Sequence, residues 1–156
     1  MKLFVRGYHG AGFGSGAIKW FTRSKYSHVS LVFHLHGDAE EIEAIQGSGV
    51  IRHRPFTDLE KTFDEYAVPI SEDQIIEAHI LAMSLLGARY DWAGVYAFLL
   101  RRSKHSLDKF FCSEFVTYIL LKIAYPVSRR LPYKHSPDTV MESYRLIAPV
   151  AELGGA

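Results

Sequence analysis

The 156-residue chain has a single cysteine, so it can close no internal disulfide and offers no paired thiols to a metal. It also lacks long apolar runs. The longest, "AGVYAFLL" (93–100) and "FVTYILL" (115–121), fall far short of the ~20 residues that span a bilayer, which predicts no integral membrane segment. The first ten residues, "MKLFVRGYHG", lack the roughly 7–15-residue apolar core of a secretory signal, so the expected location is a reducing cytoplasm. Excess charge is absent too. A formal net charge of +1 gives no electrostatic reason to expect nucleic acid or an anionic membrane as partner, and the pairs Arg101-Arg102 and Arg129-Arg130 read as solvated faces. Without repeats, linkers or low-complexity tracts, residues 1–156 read as one domain, and 48% hydrophobic residues supply its core.

The order of the patterns is strands first and helices mostly afterwards, which predicts an α+β fold. Residues 2–8, 28–35, 40–46 and 64–70 read as strands from their β-branched and aromatic content, and 17–23 as a short helix. Ser71 is placed to cap a helix that Gly87 closes. Residues 90–100 and 112–124 continue the helical pattern, and Ser136 caps a last helix with Pro137 at its first position.

The segment "GYHGAGFGSG" (7–16) is glycine-rich but lacks both the Gly-Lys-Ser/Thr ending of a phosphate loop and the G-x-G-x-x-G spacing. It reads as a turned surface loop at the border of a groove. The eight histidines, among them His34, His36 and His53, show no ligand spacing and read as surface or turn residues. No metal and no cofactor are expected.

The lone cysteine sits in "KFFCSEF" (109–115). Cys112, Phe115, Val116, Ile119 and Ile123 share one helical face, with the thiol at its N-terminal end. There the helix dipole favours a thiolate, the reactive form. The same position suits an inert core thiol, since free cysteine is among the most buried residue types. Upstream, "SKYSHVSLVF" (24–33) puts His28 at the opening of a strand, on one face with Ser30 and Val32. Glu43 lies in the following strand. A thiol, an imidazole and a third polar group that orients the imidazole are the general kit for nucleophilic catalysis.

Five stretches in order, "SGAIKWFTRSKYSHVSLVF" (15–33), "IEAIQGSGVIRHRPF" (42–56), "LGARYDWAGVYAF" (86–98), "FFCSEFVTYIL" (110–120) and "HSPDTVMESYRLIA" (135–148), give the chain its strongest likeness. It resembles the permuted papain-like, NlpC-related amidases of the YiiX/YebB type, in which the histidine strand precedes the cysteine helix. The resemblance implies a circularly permuted papain-like fold, an antiparallel sheet packed against helices. It makes Cys112 the nucleophile, His28 the general base and Glu43 the residue that orients the imidazole. Tyr26 and Tyr8 could line the groove, although packing is the ordinary role of such tyrosines.

The implied activity is cysteine-dependent hydrolysis of an amide in a small peptide, a cell-wall fragment or an N-acyl compound, through a thioester. The alternatives are acyl transfer from a lipid-like donor, of the lecithin:retinol acyltransferase kind, and a binding module without activity. Specificity and oligomeric state are not legible.

The register of the two strands bears on the triad. A two-residue loop at Gly37-Asp38 would set Glu43 across from Val32, about 13 Å along the strand from His28. The family reading requires instead a register that sets Glu43 directly opposite His28. Glu40 and Glu41 read as solvated strand carboxylates, and Glu114 as a carboxylate in the first turn of its helix.

Overall fold

A computed structural model describes residues 1–9, 25–55, 62–91, 93, 109–125 and 131–147. Strands β1 (Lys2–Tyr8), β2 (His28–Leu35), β3 (Asp38–Ile45), β4 (Gly49–His53) and β5 (Phe63–Ala67) form an antiparallel sheet in the order β4-β3-β2-β1-β5. Three α-helices are present among the described residues: α1 (Glu72–Ser84), α2 (Cys112–Lys122) and α3 (Pro137–Ile147). The α+β expectation holds. The predicted helix at 17–23, the loop residues from 10 to 16, and the basic pairs at 101–102 and 129–130 lie outside the described residues.

β4 was not expected: its short sequence, GVIRH, has two apolar side chains and begins with glycine. The strand exists because β3 supplies its partner edge, with Ile45 opposite Gly49 and Glu41 opposite His53. The helical pattern at 90–100 is corrected at its first residue only, and Ala93 is helical as expected. Tyr90 belongs to a two-residue strand, β6 (Arg89–Tyr90), which pairs in parallel with β7 (Lys109–Phe110). Of residues 91–100, only Asp91 and Ala93 are described.

Helix α1 starts where its cap requires. Ser71 Oγ accepts from the Gln74 amide at 3.2 Å, while the Gln74 side chain accepts from the Ser71 amide at 3.1 Å, a complete capping box. The same Gln74 side chain donates to the Ile123 carbonyl at 2.9 Å, tying the start of α1 to the end of α2. The helix ends one turn before Gly87, which holds φ +82 and donates to the Val50 carbonyl at 2.9 Å. In α3, Ser136 Oγ accepts from the Thr139 amide at 3.2 Å, the cap its position predicts.

The helix that carries the cysteine is the most buried. Cys112, Phe115, Val116, Ile119 and Ile123 all lie in the core, as their spacing predicts, and Leu120 joins them. Burying each large apolar side chain contributes on the order of 2 kcal/mol. Burial extends beyond that face: Ser113, Glu114 and Thr117 are enclosed as well. Thr117 Oγ1 donates to the Ser113 carbonyl and Ser113 Oγ to the His135 carbonyl, each at 2.7 Å, so the first turn of α2 is held by its own polar side chains. Glu114 lies in the first turn of the helix, as expected, and is fully buried there.

The β2–β3 hairpin turns through His36 and Gly37, at φ +47 and +98, and pairs Leu35 with Asp38. Two positive φ values are what a two-residue turn of this hand demands; glycine meets the requirement freely, and histidine is among the residues that tolerate it. The resulting register, Leu31 opposite Ile42 and Val32 opposite Glu41, lies midway between the two expected ones. Continued by one residue, it sets Glu43 across from Ser30, diagonal to His28.

Gly49 has a stricter reason to be glycine. At φ +76, a Cβ would sit 2.1 Å from the Ala88 carbonyl oxygen, which accepts the Val50 amide at 2.8 Å. Gly47 shares the positive φ, +86, but has open space around it. Gly47→Ala should therefore cost about 1 kcal/mol of unfolding free energy, and Gly49→Ala about 3 kcal/mol, because the second also pries apart the β4–Ala88 contact. Urea unfolding of the two variants measures the difference; equal costs would show that the Ala88 contact is easily relieved.

Candidate active site

The site is built where the start of β2 meets the start of α2. The chain enters β2 through a bend that other elements pin down. Asp138, in the first turn of α3, accepts the backbone amides of Lys25 and Tyr26, each at 3.1 Å, and Ser27 donates its amide to the Tyr8 carbonyl at 2.9 Å. His28 follows at once, opposite Tyr8 in the sheet. Its position is therefore set by main-chain bonds on both sides of the bend.

Cys112 is the first residue of α2, after the extended Phe111, and is 7% exposed. It lies close enough to His28 to act on the imidazole. His28 is 4% exposed, and its Nε2 is bonded to Glu43 Oε2, a carboxylate with no exposed surface. The structure thus brings together all three residues expected to act, Cys112, His28 and Glu43. The distance condition is met without direct pairing, because a glutamate side chain reaches a diagonal neighbour across antiparallel strands.

The electrostatics follow from these contacts. Burial pulls the His28 imidazolium down, but hydrogen bonding and the closeness of the Cys112 thiol and the Glu43 carboxylate outweigh it, raising the group from 6.5 to about 10. Burial pushes the Glu43 carboxyl up; the bonds to His28 and His53 and their positive charges prevail and bring it from 4.5 down to about 2.

Tyr8 and Tyr26 stand beside the site but not open to it. Tyr8 is 1% exposed, its ring 5.9 Å from that of His28, and its hydroxyl donates to Glu41 at 2.6 Å. Tyr26 is buried as well, and its hydroxyl donates to Asp64. Both are packed with their polar tips already committed.

Two residues read as surface groups prove to be engaged at the site, Glu41 inside it and His53 half-buried at its edge. Glu41 is fully buried; it accepts from Ser30 Oγ and Tyr8, with Arg6 at 3.5 Å. Alternation carries the signal, since residues 41 and 43 share the face that holds His28 and Ser30. His53 is the second. Its Nε2 lies 2.5 Å from the other oxygen of Glu43, and its Nδ1 lies 2.7 Å from the Arg54 carbonyl. A third residue, Tyr90, borders the cysteine: its phenol is raised above its ordinary value, first by burial and then by its closeness to Cys112 and Asp91.

Glu41, Glu43 and His53 have ligand atoms within 4.8 Å of one another, close enough for a cation to bridge. Each is engaged otherwise. Glu41 is saturated by Ser30, Tyr8 and Arg6, and Glu43 by two imidazoles.

No family model matches the chain, and no curated protein matches it. No described helix is long and apolar enough to cross a membrane.

The pKa directions set a stability profile. Glu43 is depressed from 4.5 to about 2, so the stability it adds is complete above pH 4.5 and is lost as pH falls toward 2. His28 is raised from 6.5 to about 10, so its contribution is complete below pH 6.5 and disappears as pH rises toward 10. Thermal melts across this range should decline at both ends. In Glu43→Gln the acid-side decline should flatten; parallel curves for variant and wild type would show that this carboxyl does not carry it.

Proposed function

We propose that the protein is a cysteine-dependent hydrolase of amide bonds on a permuted papain-like scaffold, with Cys112 as nucleophile, His28 as general base and acid, and Glu43 as the residue that orients the imidazole. One observation carries the reading: the sole cysteine opens a buried helix beside a histidine that is bonded to an enclosed carboxylate. A core thiol needs no such partner.

The chemistry follows from the placement. Glu43 occupies Nε2 of His28 and leaves Nδ1 to take the thiol proton. The thiolate attacks the amide carbon, forming a C–S bond, and the Cys112 backbone N–H, which has no partner within the helix at this position, donates to the oxyanion. The tetrahedral intermediate collapses with cleavage of the C–N bond, and His28 gives its proton to the departing amine. Water, deprotonated by His28, then attacks the thioester; the C–S bond breaks, the acid is released, and the proton returns to the thiol–imidazole pair.

Substrates of this class are short peptides, cell-wall fragments and N-acyl compounds, processed within one domain without a cofactor. The order of the histidine strand before the cysteine helix, and the likeness in "S-K-Y-S-H" and "F-C-S-E-F", support the permuted papain-like reading over another α+β fold.

Iodoacetamide tests the nucleophile without a substrate. At pH about 6, where an ordinary thiol near 8.5 is almost wholly protonated, Cys112 should be labelled much faster than a free thiol, and His28→Ala should abolish the advantage. Against a panel of short peptides, N-acyl amino acids and lipid esters, Cys112→Ala and His28→Ala should each lose about a thousandfold or more in rate. Glu43→Gln should lose less, because an amide can still accept the imidazole N–H. Turnover confined to lipid esters, with the acyl group passed to an added acceptor, would assign acyl transfer instead; labelling at the rate of a free thiol would point to a binding module.

A further inference from the structure

Glu43 is fully enclosed, yet only one of its oxygens serves His28. The other meets His53 Nε2 at 2.5 Å, and the opposite nitrogen of that ring faces the Arg54 carbonyl at 2.7 Å. A carbonyl oxygen accepts hydrogen bonds and cannot donate one; an ionised carboxylate is limited in the same way. Both nitrogens of His53 must therefore carry protons, and the ring is an imidazolium. We propose that His53 is a positioning residue of the catalytic centre: a cation braced on the Arg54 carbonyl that holds the outer oxygen of Glu43 and so fixes the inner one on His28. The proposal rests on the hydrolase reading above, since it assigns a further part to that same centre.

The arrangement alternates charge along a line from Cys112 through His28 and Glu43 to His53. Removing the last cation leaves an enclosed carboxylate with one fewer donor, which favours its protonation, and a neutral Glu43 supports the His28 imidazolium less well. Both effects weaken the thiolate–imidazolium pair. Other charged groups around His53 are Glu41, its cross-strand partner on β3, and Arg52 and Arg54 on its own segment. His36, Asp38 and Glu40 line the groove on which its exposed edge opens. β6 approaches β4 at the far end, where Ala88 accepts the Val50 amide. Hydrogen bonding to Glu43 is the largest influence on His53, raising it above its ordinary 6.5; partial burial opposes this, and the Arg54 carbonyl and Glu41 add to the rise.

Two measurements test the role. The first is the pH profile of Cys112 alkylation by iodoacetamide in wild type, His53→Gln, which keeps a donor but not the charge, and His53→Phe, which keeps only the ring. The acid limb should move upward in the order wild type, Gln, Phe. A displacement of about one pH unit in His53→Phe would lower the labelling rate about tenfold on that limb. A purely structural role would lower the melting temperature without moving the limb. The second uses wild type alone: nitrogen-15 spectra of the histidine rings at neutral pH should show His53 with both nitrogens protonated, a result that does not depend on any variant folding. Fast labelling of wild type with an unmoved acid limb in both variants, or a singly protonated His53, overturns the positioning role and leaves the hydrolase reading intact. Wild-type labelling no faster than a free thiol overturns both.

Discussion

A carboxylate with no exposed surface must have its charge answered where it lies, and the centre of this fold is arranged around one such group. Glu43 has no exposed surface and accepts from an imidazole on each side. Leaving such a group unpaired costs several kcal/mol, and removing a single partner is more damaging than never having had the pair. The position of His28 at the start of β2 and of His53 at the end of β4 is therefore constrained by a residue on the strand between them. The geometry of the candidate site is a consequence of that constraint as much as of the cysteine helix.

The helix side contributes a different kind of rigidity. Cys112 projects from a helix enclosed on nearly every side, its first turn bonded to the His135 carbonyl and its last carbonyl bonded by Gln74. The bend before His28 is held by Asp138 and Tyr8. In the proposed reaction, a nucleophile and base mounted on elements so fixed would lose little freedom, which is where much of the advantage of an intramolecular arrangement arises. Cys112 as a whole is only 7% exposed.

How much of this is legible in the sequence depends on the kind of information each feature uses. The apolar face of α2 and the caps at Ser71 and Ser136 are local, set by spacing and by side chains three residues apart, and the structure has them as read. The partnership of His28 with Glu43 was legible as shared strand parity. Burial of Glu41 was not, although it has the same parity, because acidic side chains are normally exposed and only the donors on neighbouring strands, Ser30 and Tyr8, make its enclosure tolerable. His53 escaped for a similar reason: its partner is ten residues away across a strand that its own composition barely announces. Tyr90 was read into a helical periodicity because two residues of strand carry no period at all.

The register of β2 on β3 shows what the buried polar groups add. Apolar alternation has a period of two, so it forbids a slip of one residue but not of two. The two registers expected from the sequence and the one observed differ by such two-residue slips, and all three keep Ser30, Val32, Glu41 and Glu43 on their proper faces. Hydrophobic burial alone would rank them nearly equal. The observed pairing is the one in which Glu41 is met by Ser30 and Tyr8 while Glu43 reaches His28 and His53 together. A slip either way would leave at least one enclosed carboxylate short of donors, at a cost on the order of 1–3 kcal/mol or more for each lost partner. The polar face thus specifies an alignment that the apolar face leaves open, and the hairpin turn at His36-Gly37 accepts the strained backbone this alignment requires.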